Sequence, residues 1–162
     1  MHPILILKLL GLLAIANGAP VVVKRYAGSI WSMPIDGNVR CPDGQPFLGP
    51  SKTIRGFVIA ILATAAGAAL LGLEWQTGVV VGSAAMAGDV CSSFVKRRLG
   101  LPASSRALGL DQIPESLFPL LACREQLAIS FLDIVAIVEA FLIGELWLSR
   151  VLYAWHIRDR PY

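Results

Sequence analysis

Residues 56–73 read GFVIAILATAAGAALLGL, eighteen consecutive residues without a charge. A helix that crosses a bilayer needs roughly 17–25 mostly apolar residues, because lipid offers its backbone no hydrogen-bond partners. This block is long enough and carries nothing that demands water. Working outward, three further blocks have the same character. Residues 3–23 are interrupted only by Lys8 and Asn17, and 77–94 carry only Asp89. Residues 128–155 contain Asp133, Glu139 and Glu145 but are otherwise apolar enough for a full span. Between the last two lies 111–123, which reaches only about 20 Å as a helix. It crosses if its acidic end is recessed in a polar cavity.

The whole composition agrees with this reading. The chain of 162 residues is 56% hydrophobic and 15% charged, with a mean hydropathy of +0.67. A soluble domain carries about a quarter charged residues. The expected fold is therefore an all-α integral membrane domain over 1–162. Its transmembrane helices, about five, fall at 3–23, 56–73, 77–94, 111–123 (short) and 128–155. The first block also invites comparison with a signal peptide. It has no basic residues before it, Lys8 interrupts it, and Lys24 and Arg25 follow it, so a retained span is expected.

Charge asymmetry orients the chain. Lys24, Arg25, Arg40, Lys52 and Arg55 lie in 24–55, and Lys96, Arg97, Arg98 and Arg106 follow the third span. With Arg150, Arg158 and Arg160 these make twelve of the fourteen basic residues. Five spans place all twelve on one side, whereas four strand the Arg158 end opposite. The positive-inside rule then predicts a multi-pass cell-membrane protein with its N-terminus outside, its C-terminus cytoplasmic, and cytoplasmic loops at 24–55 and 95–110.

Some functions are disfavoured at once. Nucleic acid is not an expected partner, because no solvated basic face carries interleaved aromatics. Cys41, Cys91 and Cys123 have no metal-ligand spacing, and His2 and His156 sit near the termini, so zinc is not expected. No GxxxxGK[ST] phosphate loop is present.

What remains is polar chemistry at one membrane boundary. Asp89 is an acid near the cytoplasmic end of a span, a costly placement that needs a partner or a cavity. Ser93 and Lys96 share its helical face. Two readings are open: an internal Asp–Lys pair, or a cation or phosphate site. For Asp133, Glu139 and Glu145, six residues apart, pairing of one of them with Lys8 is the preferred reading. Small residues at spacing four, among them Ala60 with Thr64 and Ala84 with Gly88, suit close helix packing. Loop one ends in Ser51-Lys52-Thr53-Ile54-Arg55-Gly56, where Ser51 or Thr53 can cap the second span. A helix N-terminus with Lys52 and Arg55 beside it suits a polyphosphate. Loop two joins Lys96-Arg97-Arg98 to Leu110-Asp111-Gln112, so Asp89 and Asp111 flank a basic loop and could meet at its base. Two carboxylates near clustered cations match Mg²⁺-dependent phosphoryl chemistry.

Taken in order, Asn17-Gly18-Ala19-Pro20, Pro34-Ile35-Asp36-Gly37, Leu48-Gly49-Pro50-Ser51-Lys52-Thr53-Ile54-Arg55-Gly56, Gly88-Asp89, the run from Ser93 to Gly100, and Leu110-Asp111-Gln112 resemble the CDP-archaeol synthase family. That family is itself similar to the CDP-diacylglycerol synthases. The resemblance implies five transmembrane helices around a cytoplasm-facing site. It implies transfer of a cytidylyl group from CTP to a lipid phosphate, an unsaturated archaeal diether in that family, with Mg²⁺ and release of pyrophosphate. By position, Asp89 and Asp111 would hold the metal and, with Lys96, form the catalytic set. Lys52, Arg55, Lys96 and Arg97 would hold CTP or lipid phosphates, and Asp36, Thr53, Ser93 and Gln112 would line the site. Three positions depart from the pattern. Ile54 stands where the family has Trp, Asn38 where it often has Lys, and Pro114 where its Asp-Gln-x-Asp motif has the second acid. Glu115 follows Pro114, about 100° further round a helix. The lost acid leaves a second reading, a non-catalytic membrane protein that binds or moves anionic lipids.

Overall fold

The computed structural model describes residues 2–103, 105 and 107–154. Arg106, Arg158 and Arg160, counted above toward the cytoplasmic charge, and Trp155, the end of the fifth block, lie outside the described residues, as does the side chain of Arg150. Five helices follow in order: α1 (Pro3–Ala27), α2 (Ile54–Leu70), α3 (Trp75–Arg98), α4 (Gln112–Ala122) and α5 (Phe131–Ala154). The described residues form no sheet; only two isolated β-bridges occur, both in loop one. Each helix overlaps a block expected from the sequence. Among the described residues, α1 and α3 are long and apolar enough to cross a membrane, and α2 is a shorter apolar helix.

α1 runs four residues beyond the expected boundary, through Lys24 and Arg25 to Ala27, despite Pro20 inside it. The two cations favour the negative end of the helix dipole, so the last turn is helical although it is not apolar. Thr53, of the two capping candidates, caps α2: its hydroxyl accepts from the Gly56 N–H at 3.2 Å. The other end of α2 closes on Gly72 (φ 67°), where Leu73 N–H donates to Ala68 O and Gly72 N–H to Ala69 O. Only a residue free of a Cβ takes that left-handed position cheaply. α3 ends the same way at Gly100 (φ 69°), with Leu101 N–H on Lys96 O and Gly100 N–H on Arg97 O.

α3 packs against α1, α2 and α4, and α5 closes the bundle against α1 and α4. The apolar core joins Leu9, Leu12 and Leu13 of α1 to Val81, Leu120, Ile137 and Phe141. Large side chains such as Leu7, Leu62, Leu70, Phe131 and Ile143 point outward, as lipid-facing positions do. The close helix contacts fall at glycines. A Cβ on Gly78 would stand 2.2 Å from Thr64 O, and one on Gly82 would stand 2.2 Å from Thr64 Oγ1. Gly88 gives the tightest approach to α4, treated below. At the far end of the bundle the expected Lys8 pairing is replaced. Asp133 accepts from Ser130 Oγ at 2.7 Å and from the His2 N–H at 3.2 Å, pinning the start of α1 to α5. Among the described residues, no ion pair joins Lys8 to Asp133, Glu139 or Glu145.

Candidate functional site

A cavity of about 650 Å³ opens where loop one meets the helix ends. Its walls come from the last turns of α1, loop one, the start of α2, two positions of α3 and one each of α4 and α5. Its lining includes the cations Lys24, Lys52 and Arg55 and the acids Asp89, Glu115 and Glu145. Val21, Ile35, Phe57, Ile59 and Met86 add apolar surface to the same cavity.

Loop one is folded by its own backbone and by Asp36. Ile35 N–H donates to Lys52 O at 2.9 Å and Ile54 N–H to Met33 O at 3.0 Å, so the strand-like segments before and after the loop pair. Asp36 accepts from the backbone N–H groups of Leu48 (2.9 Å), Gly49 (3.0 Å) and Asn38 (3.0 Å). Burial alone would raise its pKa; these donors outweigh it and hold the carboxyl below the usual value. Asp36 was expected to line the site. Its carboxylate instead organises the loop that does, and the residue is not part of the cavity wall. Arg55 has a similar task at the other end, donating to Gly28 O at 3.0 Å and to Ile30 O, which ties the chain leaving α1 to the start of α2. Arg98 clamps the loop to α3 through Asp43 (2.9 Å) and Pro46 O (2.7 Å), above the Phe94 ring. Nothing in the sequence distinguished it from its basic neighbours.

Asp89 and Asp111, which the sequence could bring together, have separate ion-pair partners. Asp89 pairs with Lys52 from loop one at 2.5 Å. Lys96, expected beside Asp89, pairs with Asp111 at 2.7 Å and also donates to Ser105 O at 2.9 Å. The other oxygen of Asp111 accepts from Ala107 N–H at 3.1 Å. Arg97 donates to Pro102 O at 2.7 Å, and Gln112 Oε1 accepts from Gly109 N–H at 2.8 Å. Lys96, Arg97, Asp111, Gln112 and Ser93 are all buried and none lines the cavity. The residues expected to form one site thus divide into two groups. Lys52, Thr53, Arg55 and Asp89 face the cavity, and the second group is a buried frame under loop two.

The acids that join Asp89 are Glu115 and Glu145. α4 buries one stripe, Gln112, Glu115, Ser116, Pro119 and Leu120, at helical spacing. Glu115 therefore points inward, where it meets the Asp89 carboxyl, with Glu145 and Lys52 near by. Lys24, Asn17 and Ser32 also line the cavity. Asn17 lies in one of the motifs singled out in the sequence; Lys24 and Ser32 had no such signal.

Mg²⁺ takes hard oxygen ligands, commonly one or two protein carboxylates with the rest from phosphate and water. Among the described residues, no three His, Cys, Asp or Glu side chains could hold a metal ion by themselves. The Asp89–Glu115 pair, in a cavity also lined by Lys24, Lys52 and Arg55, fits an ion that arrives with a nucleotide's phosphates.

Comparison with known proteins gives a consistent result. A family model described as CarS-like, CDP-archaeol synthase, matches residues 5–162. A CDP-archaeol synthase of Sulfurisphaera tokodaii is 31% identical over 154 residues, covering 91% of this chain and 89% of that protein. Another, of Hyperthermus butylicus, is 44% identical over 106 residues, covering 60% of this chain and 59% of that protein. A solved structure of an intramembrane enzyme for archaeal membrane lipids biosynthesis superposes with a TM-score of 0.71 at 29% identity, covering 85% of this chain and 90% of that one.

Proposed function

Because this chain belongs to the CDP-archaeol synthase family, we propose that it transfers the cytidylyl group of CTP to a membrane lipid phosphate, of the unsaturated archaeal diether class, and releases pyrophosphate. The observation that carries this reading is one cavity lined together by cations, acids and apolar side chains. A nucleotide triphosphate needs the first, a divalent cation the second, and a lipid substrate the third.

An oxygen of the lipid phosphate forms a bond to the α-phosphorus of CTP. The bond from that phosphorus to the α,β-bridging oxygen breaks, and its electron pair leaves with pyrophosphate. Both reactants are anions, so holding them in line and neutralising them is most of the task. Lys52, Lys24 and Arg55 lie where the phosphates enter. Lys52 is oriented by Asp89, so its ammonium is in place before substrate binds, and donors fixed in advance stabilise developing charge best. Asp89 belongs to the metal site, where a bound Mg²⁺ would neutralise phosphate oxygens and polarise the α-phosphate. Asp111, Lys96, Arg97 and Gln112 act on the site from beneath, by holding loop two and the start of α4. No covalent nucleophile is needed.

The topology proposed with this function has five spans, the N-terminus outside, and loops one and two in the cytoplasm, where CTP is found. α4 is only about 16 Å long at 1.5 Å per residue, so its polar start, with Glu115, lies recessed at the base of the cavity. The non-catalytic lipid-carrier reading drew its support from Pro114; an acid one position on that reaches the cavity takes that support away.

The test is to incubate the purified protein with labelled CTP, Mg²⁺ and a panel of diether, diester and polyprenyl phosphates. The expected product is a CDP-lipid, made fastest from the unsaturated diether and abolished by Asp89→Asn. No product from any member of the panel would overturn the proposal.

A further inference from the structure

We propose that Glu115, not Asp111, is the second carboxylate on the reaction's divalent cation, and that Asp111 is a positioning residue for loop two. This rests on the cytidylyltransferase reading above.

A Cβ on Gly88 would stand 2.3 Å from Pro114 O, 2.4 Å from Pro114 C and 2.7 Å from Glu115 N. Such contacts are impossible for a side chain, so only glycine lets the backbone of α4 lie directly on α3 here. The next residue along α3 is Asp89, and the next along α4 is Glu115. Close contact at the 88/114 crossing therefore brings the two acids together. The inward stripe of α4 runs through Gln112, Glu115 and Ser116, so it is 115, not 114, that faces α3 at this level.

Glu115 is 6% exposed and lines the cavity. Its hydrogen-bonding side-chain contact is another acid, Asp89. Among the described residues it makes no ion pair. Two carboxyls held against each other away from water repel unless a cation or proton lies between them. The single ammonium of Lys52 is already on Asp89. A divalent cation carried in by the nucleotide supplies the missing positive charge, and its ligand count is completed by phosphate and water.

Asp111 has the opposite surroundings. One of its oxygens lies 2.7 Å from the Lys96 ammonium, the other accepts from Ala107 N–H, and the residue is absent from the cavity wall. The loss of an acid at Pro114 is thereby answered within this chain by its neighbour, at the cost of one extra methylene of reach.

The experiment is Mn²⁺ binding followed by electron paramagnetic resonance, on the full-length protein in nanodiscs loaded with α,β-methylene-CTP. Glu115→Gln, nearly the same shape without the charge, should weaken Mn²⁺ binding at least tenfold, and Glu115→Asp should recover part of it. Asp111→Asn should leave Mn²⁺ affinity within about twofold while lowering the melting temperature. If that variant does not fold, Lys96→Met with Asp111→Leu removes both partners of the buried pair, a replacement proteins commonly tolerate. It should bind Mn²⁺ as the wild type does. Wild-type affinity in folded Glu115→Gln, or loss of Mn²⁺ in either folded Asp111 variant, would overturn the assignment. Failure here is separable from failure of the activity reading. CDP-lipid synthesis with a Glu115→Gln protein that binds Mn²⁺ normally removes the assignment alone. Loss of Mn²⁺ in Glu115→Gln with no CDP-lipid from the wild type supports the cation site and removes the activity.

Discussion

Gly88→Ala tests whether the approach of α3 to α4 sets the geometry of the site. The added methyl would meet backbone atoms of Pro114 and Glu115 at 2.3–2.7 Å, not the end of a flexible side chain. Ordinary contact begins at 3.4 Å, so α4 must retreat by about 1 Å for the methyl to fit. Overpacking of this kind costs about 1–3 kcal/mol. The same retreat moves Glu115 away from Asp89 by about 1 Å, and a misplacement of that size costs on the order of 100-fold in rate. Thermal unfolding in detergent, followed by intrinsic fluorescence, should show a lower melting temperature, and turnover of CTP should fall by about 100-fold. Gly144→Ala is the control, because nothing lies within 4 Å of its Cβ position. Alanine is the better helix former by about 1 kcal/mol, so this variant should be as stable as the wild type or more so. A Gly88→Ala protein with wild-type melting and wild-type turnover would refute the reasoning.

Three further outcomes are expected. Lys52→Met removes the ammonium that Asp89 orients, and should lower kcat/KM for CTP by about 100-fold or more, in line with the loss of one preorganised donor; steady-state kinetics over CTP concentration measure it, and an unchanged value would remove Lys52 from the site. Lys96→Met leaves Asp111 buried without its cation and should cost about 3–5 kcal/mol, whereas Lys96→Met with Asp111→Leu should recover most of that loss; chemical denaturation compares them. The pKa of Asp36 is lower folded than unfolded, so its charge stabilises loop one fully above the unfolded value near 4, and that stabilisation disappears as pH falls through the lower folded value. The melting-temperature gap between wild type and Asp36→Asn should therefore be widest near neutrality and close on acidification; a gap independent of pH would contradict the assigned role.

The helices were legible because membrane spans are read from local composition. Residues 56–73 and 77–94 announce themselves by apolar length, and the helices found there differ from the blocks mainly at their ends. α1 overruns its block because Lys24 and Arg25 are polar yet favourable at a helix C-terminus. Thr53 was legible as a cap because capping is local. The partners of the buried charges were not. Lys96 lies seven residues from Asp89, on one face of one helix, and sequence spacing makes them neighbours. In the folded chain Asp89 turns to Lys52, 37 residues away, and Lys96 turns to Asp111. That choice depends on how loop one folds back over α3, and it in turn depends on the Asp36 and Arg98 contacts. Likewise, Gly88 could be recognised as a packing residue from its spacing, but not that its partner is the backbone at Pro114. Glu115 looked misplaced by 100° only while the inward face of α4 was measured from Asp111 and the family motif. The stripe through Gln112, Glu115 and Ser116 sets that face.

Transfer of the cytidylyl group in this cavity is read from the fate of the phosphates of CTP. Two parallel reactions with the lipid phosphate, one with CTP labelled at the α-phosphorus and one at the γ-phosphorus, separate the possibilities. Cytidylyl transfer puts α-label in the lipid product and γ-label in pyrophosphate alone. γ-label in the lipid, or release of neither label from CTP, would contradict it.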